Sequence, residues 1–175
     1  MSFDLQFVTR APGQSWEEAY EALGDAGEPA VLTADRRALW DRLLAELAPL
    51  LPEAESVVES EFAELTDEAI GLQLSLFDTE VAISVAYWHS GEEADRVVAL
   101  LREVAAVVER VTGLTAYDPQ AGMPFLQGGS AEAGASMSRI ADGMADGSLF
   151  GAVPHQPKPT HQPQRRSLWQ RLTGR

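Results

Sequence analysis

Two apolar runs on either side of Asp78-Thr79 constrain the fold of this chain more than any other feature. When residues 70–77 fold back on residues 80–87, a row of apolar side chains in one run meets a row in the other. The apolar pairs are Leu72–Val85, Leu74–Ile83 and Leu76–Val81, and the opposite face pairs Gln73 with Ser84 and Ser75 with Ala82. A slip of one residue would turn a whole apolar row to the wrong face, so the sequence specifies an antiparallel hairpin in this register.

Apolar periodicity and helix-capping residues place the other elements. They are a strand over 2–9, a helix over 16–23 that begins with a capping box of Ser15 and Glu18, a helix that starts after Thr33 and ends by Pro49, a helix over 92–112 that Gly113 stops, and a strand over 114–117. The acid-rich stretch 53–68 is ambiguous, and its residues 56–65 fit either an edge strand or a solvated connector.

The order strand–helix–strand–strand–helix–strand predicts an α+β fold of the ferredoxin-like, split β-α-β type (β-α-β-β-α-β). We expect both main helices on one face of the sheet and a flexible C-terminal tail. The other face would carry the small and polar side chains of the hairpin: Gln73, Ser75, Ala82 and Ser84. That flat surface predicts a place where a partner, or a second copy in a homodimer, lies across the sheet, and a plain solvated face is the alternative.

Charge divides the chain into an acidic body and a basic tail. Eight of the 13 basic residues and all 27 acidic residues lie in 1–153, which gives that part a net charge of −19, whereas 154–175 carries +5 and no acid. We therefore predict three parts: an α+β domain over 1–121, a Gly/Ala/Met-rich flexible segment or weak helix over 122–153, and a Pro-rich basic tail over 154–175 with a short Trp-containing helix.

The composition also excludes several classes of function. A body of charge −19 repels nucleic acid and favours a basic protein as partner. The chain has no cysteine, and its single lysine lies in the tail. Chemistry at a cysteine thiolate is therefore excluded, and so is phosphate binding by a lysine of the body. We expect no cofactor and no metal site. Because no apolar run reaches the ~18 residues of a membrane span and no secretory leader is recognisable, we expect a cytoplasmic protein.

Weak candidates for catalysis are His89, Tyr117 and Asp118. His89 follows a strand and precedes acids at a helix start, which is one arrangement for a divalent metal or for acid–base chemistry, although the helix dipole alone accounts for those acids. Tyr117 and Asp118 end the last strand, where Asp4 and Gln120 would join them in a polar cluster. Pinning of the sheet edge is the alternative role for that cluster.

A resemblance rests on three short motifs. They are the opening Met-Ser-Phe-Asp-Leu, the Tyr87-Trp88 pair after the hairpin, and Tyr117-Asp118-Pro119-Gln120 after the last helix. In these the chain resembles a group of small uncharacterised bacterial proteins that begin with M-S-x-D-L and carry Y-D-P-Q after the last helix. The resemblance covers residues 1–120 and implies no activity.

The leading hypothesis is a non-enzymatic binding protein, in sharper form an acidic inhibitor or immunity-type protein for a basic protein partner. One alternative is a small enzyme with a polar site near Tyr87, His89 and Asp118. Another is an adaptor whose basic tail docks on a partner or, weakly, on a membrane surface. The tail residues proposed for that contact are Arg165, Arg166, Leu168, Trp169, Arg171 and Leu172.

Overall fold

Seven antiparallel strands build one sheet in the computed structural model of the chain, which describes residues 2–24, 30–128 and 133–145. The strands are β1 (Ser2–Val8), β2 (Glu55–Val58), β3 (Phe62–Asp67), β4 (Leu72–Phe77), β5 (Val81–Ala86), β6 (Thr115–Asp118) and β7 (Met123–Pro124). The helices are α1 (Trp16–Leu23), α2 (Ala34–Leu47), α3 (Gly91–Thr112) and α4 (Ala133–Ala145), with a 3-10 turn at Phe125–Gln127. The strand order is β2-β3-β4-β5-β1-β6-β7, and the fold is α+β.

The central hairpin has the predicted register. Leu72 lies opposite Val85, Leu74 opposite Ile83, and Ser75 opposite Ala82. Leu74 is fully buried, as are its apolar neighbours on the same face. Full burial of one such side chain is worth about 1.5–3 kcal/mol relative to exposure, so the apolar row fixes which face of the hairpin turns inward.

The sheet is larger than predicted, because residues 56–65 are not one edge strand or a connector. They belong to two strands, β2 and β3, joined by a turn in which the Glu59 N–H donates to the Phe62 carbonyl at 2.8 Å. β3 then pairs with β4, which buries Ala63 and Leu65 while the residues between them face the other side. Glu55 and Glu64 therefore do not oppose strand formation, because alternation turns them away from the core, whereas Asp67 is buried on the core side at the end of β3.

One face of the sheet is covered by α2, α3 and α4. Its core includes Phe3 and Leu5 of β1, Leu43 of α2, Leu101 of α3 and Met137 of α4. The predicted caps hold two of these helices. Thr33 accepts a hydrogen bond from the Arg36 N–H at 3.2 Å at the start of α2, and Gly113 ends α3 in the left-handed conformation, with φ of 73°.

The prediction that the helices share one face is wrong for α1. This helix begins with the predicted capping box, in which Ser15 and Glu18 exchange hydrogen bonds of 2.7 and 3.1 Å. Its residues pack instead with Val8 and Tyr117 in a separate small cluster. Val8 lies on the same face of the sheet as Gln6 and its partner Tyr117, whereas Phe7 points to the main core on the other face. A strand residue and its neighbour face opposite sides, so α1 lies on the face away from α2 and α3.

Residues after 121 continue the packing where they are described. Phe125 and Met137 are fully buried in the main core, and of the two alternatives predicted for 122–153 the described part contains a helix, α4. The basic tail, including Arg165, Arg166, Leu168, Trp169, Arg171 and Leu172, lies outside the described residues. None of the helices within the described ranges is both long and apolar enough to cross a membrane.

Candidate functional site

The sheet face turned away from α2 and α3, called the open face below, has a floor of small side chains. Gln73 lies opposite Ser84, and Ser75 opposite Ala82, so the four residues predicted for this surface lie together on β4 and β5. Ser75 and Ala82 are buried in this floor, while Gln73 and Ser84 are half-buried. The sequence produces this floor by alternating small residues with the leucines and valines of the core face.

Larger side chains surround the floor. The rings of Phe62 and Phe77, whose residues pair across β3 and β4, have centroids 6.2 Å apart at one end. Trp88 follows β5 at the other end and keeps 59% of its surface exposed. Its ring covers Gly71, where an added Cβ would lie 2.5 Å from the Trp88 Cζ2 atom. The open face is therefore a shallow depression between a phenylalanine pair and an exposed tryptophan.

The side of the open face next to β6 is occupied by α1. The rings of Tyr20 and Tyr117 lie 5.4 Å apart there, and the Arg10 guanidinium lies 4.5 Å from the centroid of the Trp16 ring. Burial, and next the charge of Glu17, raises the pKa of Tyr117. These contacts cover the β6 side of the depression and leave the side chains over β3, β4 and β5 uncovered.

Charge is distributed unequally between the two sides of the sheet. None of the seven strands in the described ranges contains a lysine or arginine, and the sequence from 43 to 95 contains none either. Seven of the eight arginines in residues 1–153 lie in α2, α3 and α4, which also contain nine acids, and the eighth, Arg10, lies against Trp16 of α1. The open face carries the acids Asp4, Glu55 and Glu64 in their strands, and α1 adds more. The open face is consequently the electronegative side of the body.

Hydrogen bonds fix part of this acidic surface. Glu64 accepts from the Gln73 amide and, at 3.2 Å, from the Thr66 hydroxyl, which orients its carboxylate along the sheet. Asp4 accepts from the Ser2 hydroxyl at 2.9 Å. In contrast, Gln6 has an unsatisfied side chain. The residue lies between Ala82 and Tyr117 on the open face, and its side-chain carbonyl oxygen is buried without a hydrogen-bond partner among the described residues. It is a polar atom in the floor that the fold itself does not satisfy.

The predicted polar cluster is only partly assembled. The Tyr87 hydroxyl donates to the Gln120 side-chain oxygen at 2.8 Å, and burial, opposed by that hydrogen bond, raises the pKa of Tyr87. Asp118 accepts from the Gln120 and Ala121 backbone N–H groups at 2.8 and 3.1 Å. Burial raises the pKa of Asp118, and these two backbone hydrogen bonds oppose the rise. Tyr117 is not in this cluster, because consecutive strand residues face opposite sides and Tyr117 packs against α1.

His89 makes its contacts elsewhere. Its Nε2 lies 2.9 Å from the Ile70 carbonyl oxygen, and because a carbonyl only accepts, Nε2 carries a proton. The Nδ1 atom is 3.4 Å from the exposed Glu93 carboxylate, and the residue is 2% exposed. A buried ring tied to a turn carbonyl offers almost no surface to a substrate. Within residues 2–24, 30–128 and 133–145, no group of three or more histidine, cysteine or acidic residues is arranged to hold a metal ion.

A surface hollow of about 300 Å³ lies between α2 and α3, lined by Arg42, Ala45, Glu46, Arg110 and Val111. The Arg110 guanidinium donates to both Glu46 carboxylate oxygens at 3.2 and 3.3 Å across it. That half-exposed ion pair accounts for the charges of Glu46 and Arg110, and Arg42 is the remaining charged residue of the lining.

Comparison with known proteins adds no functional assignment. The chain matches no protein-family model, and neither a search of curated proteins nor a search of solved structures finds a match.

Two residues of the open face were not predicted as site residues. Trp88 was noted only as part of a motif, although a large aromatic residue directly after an alternating strand has no place in the core pattern. The unsatisfied Gln6 oxygen depends on neighbouring strands that the sequence does not reveal. The run from 43 to 95 without a base was a visible signal for the electronegative side.

Proposed function

We propose that this chain is a non-enzymatic binding protein whose open face receives a basic protein partner, in the manner of an acidic inhibitor or immunity-type protein. The observation that carries the proposal is the charge of that face: Asp4, Glu55 and Glu64 lie on its strands, and no strand in the described part of the chain contains a lysine or arginine. A positively charged partner is attracted to that side more than to the other, where the seven arginines of α2, α3 and α4 offset most of the nine acids of those helices.

The shape of the open face supports the same proposal. Ser75, Ala82 and Ser84 have short side chains, which let the backbone or bulky side chains of a partner approach the sheet closely. Trp88, 59% exposed, supplies the kind of aromatic anchor that often dominates interface energies. The Gln6 oxygen, which lacks a partner, offers an acceptor to an incoming donor once neighbouring side chains shift.

The size of the face sets a limit on the contact. Five strands at about 4.8 Å spacing and about 20 Å in length give roughly 500 Å². A standard protein–protein interface buries about 800 Å² on each partner. The sheet alone is too small by this measure, so the proposed contact extends over Trp88 and onto the exposed acids of α1.

The experiment is affinity capture from extracts of the host with a charge-reversed control. Glu55→Lys combined with Glu64→Lys changes the open face, while Glu103→Lys changes an exposed acid of α3 on the other side. We expect a basic protein to be retained by the wild type and by Glu103→Lys, to be lost with the double variant, and to elute with salt. Equal retention by all three proteins, or no retained protein at all, would refute the proposal.

The enzyme alternative receives less support from the geometry. Asp118 uses its carboxylate to hold its own turn, and His89 is buried against the Ile70 carbonyl. Both contacts are those of structural residues, and the Tyr87–Gln120 hydrogen bond likewise ties β5 to the loop after β6. The adaptor alternative depends on the tail, which lies outside the described residues, and the cytoplasmic location remains a prediction.

We also propose that the four central strands are a split β-α-β unit of the ferredoxin-like type. In support, β6-β1-β5-β4 are neighbours in that order and all their pairings are antiparallel. In this proposal the β2–β3 hairpin and β7 are additions at the two edges, and α2 and α3 are the two helices of the unit. An experimental structure in which β1 does not lie between β5 and β6 would contradict it.

A further inference from the structure

We propose that the chain's own basic tail, residues 165–172, docks on the open face and competes there with the basic partner. The inference rests on the proposed function, because it uses the same face, and it identifies a competing ligand within the same molecule. The three observations behind it are the charge of the face, the charge of the tail and the length of chain that joins them.

Charge complementarity selects this surface for the tail. The tail residues Arg165, Arg166 and Arg171 lie in a segment without a single acid. In the body, α2, α3 and α4 combine seven arginines with nine acids and are nearly balanced, whereas the described strands of the open face carry acids and no base. A segment of charge +5 is therefore drawn to the open face in preference to the helix side.

The tail also carries large apolar side chains that can pack on the small side chains of the open face. Leu168, Trp169 and Leu172 are the large apolar residues among its arginines. The open face has a floor of small side chains, and its exposed Trp88 stands beside that floor. An indole or leucine side chain that rests on the small residues buries apolar area, which adds to the attraction between opposite charges.

The connecting chain is long enough for this contact. The described structure ends at Ala145 in α4, which packs on the helix side, and 19 residues lie between it and Arg165. At a maximum of about 3.3–3.6 Å per residue these residues span up to roughly 70 Å. The body has a radius of gyration of about 15 Å by the scaling for compact domains, so the tail reaches the far side around a sheet edge.

Attachment compensates for weak intrinsic affinity. A segment tethered through a short linker has an effective concentration of about millimolar at its site, so an intrinsic dissociation constant near that value occupies about half of the faces. A partner must displace the tail, so its apparent affinity falls to the fraction of faces that the tail leaves free, about twofold at half occupancy. A second copy is a poorer occupant of the face, because pairing two open faces would bring Asp4, Glu55 and Glu64 against the same acids.

The test compares the full-length wild type with a tail-reversed protein carrying Arg165→Glu, Arg166→Glu and Arg171→Glu. The readout is the backbone amide chemical shifts of Gln73, Ser75, Ala82 and Ser84 by NMR. We expect these shifts to differ between the two proteins at 50 mM salt, to converge at 500 mM, and to be independent of protein concentration. The matched control Arg139→Glu, which reverses an exposed arginine of α4, leaves them unchanged.

A synthetic peptide of residues 154–175 completes the test. We expect it to bind the tail-reversed protein about twofold more tightly than the wild type, because the tail occupies about half of the wild-type faces. Adding Glu55→Lys and Glu64→Lys to the tail-reversed protein should abolish the binding.

Two outcomes would overturn the inference. They are identical face shifts in the wild-type and tail-reversed proteins, and shifts that depend on protein concentration. If the tail-reversed protein still captures a basic host protein, the failure is confined to the tail and the proposed function stands. If it captures none, the proposed function fails by its own test.

Discussion

Replacing Gln6 with methionine should stabilise this protein, although it removes a polar residue from a sheet. The Gln6 side-chain oxygen is buried on the open face between Ala82 and Tyr117 and has no hydrogen-bond partner among the described residues. In the unfolded chain water satisfies that oxygen, so folding loses a hydrogen bond there that it does not regain. Methionine has nearly the same length and flexibility, and it fills the space without this cost.

The expected gain follows from the cost of the unsatisfied group. An unpaired buried acceptor costs about 1–3 kcal/mol, and small adjustments of packing take back part of this, so we expect a net gain of about 1 kcal/mol. In a domain of this size that raises the melting temperature by about 2–4 °C. The measurement is urea unfolding followed by circular dichroism, in which the midpoint should rise at an unchanged slope.

A matched control separates this effect from a general benefit of methionine. Gln73 is half-buried on the same face, but its amide donates to Glu64. Gln73→Met removes a hydrogen bond that is made, and we expect it to lower the midpoint. If Gln6→Met lowers the midpoint as much as Gln73→Met does, the Gln6 oxygen has a partner in solution and the reasoning is refuted.

Three further changes test the fold. Burial raises the pKa of Asp118 above its ordinary value of 3.8, so the stability of the wild type falls as the pH rises from the unfolded-state pKa to the folded-state pKa. Asp118→Asn keeps the side-chain oxygen that accepts the hydrogen bonds of the turn, and it should gain stability relative to the wild type between pH 3 and pH 7. A difference in urea unfolding that stays constant with pH would contradict this. Gly71→Ala should cost about 1–2 kcal/mol at a φ of 61° and should displace Trp88, which tryptophan fluorescence detects; an unchanged spectrum argues against the contact. Leu74→Ala in the core should lower the free energy of unfolding by about 2–5 kcal/mol, whereas Val57→Ala, at a residue that is 51% exposed, should lower it by under about 0.5 kcal/mol. Equal decreases would mean that the hairpin faces are misassigned.

The parts of the fold that were predictable are those that local chemistry determines. The register of β4 against β5 follows from two apolar rows that bury together only in one alignment. The capping box of Ser15 and Glu18 fixes the first residue of α1, and Gly113 fixes the end of α3 through its left-handed backbone. None of these features depends on distant residues.

The parts that were missed depend on contacts between distant segments. The β2–β3 hairpin is rich in acids, and its strand character arises from pairing with β4, which buries Ala63 and Leu65. The face chosen by α1 was indicated by one signal that we did not use. Phe7 and Val8 are adjacent and both buried, so the alternation of β1 breaks where a second layer covers the strand.

The candidate site was predictable as a surface but not as a shape. Gln73, Ser75, Ala82 and Ser84 follow from the hairpin register alone. The wall formed by α1 and the position of Trp88 over Gly71 follow from tertiary contacts that span many residues. The tyrosine and aspartate at the end of β6 were grouped by sequence proximity, but the pleat separates them onto opposite sides of the sheet.

The outer edge of β2 has a consequence for how copies of this molecule behave at high concentration. All four residues of β2 are exposed, and the Leu32 N–H donates to the Ser60 carbonyl just beyond the strand, which shields only that end. Two such edges meeting head to tail around Val57 would set Glu55 of each copy opposite Glu59 of the other, and like charges in facing positions repel. Glu55, which also attracts a basic ligand, thus disfavours edge-to-edge pairing of two copies, and replacing Glu55 and Glu59 with glutamine would remove that repulsion.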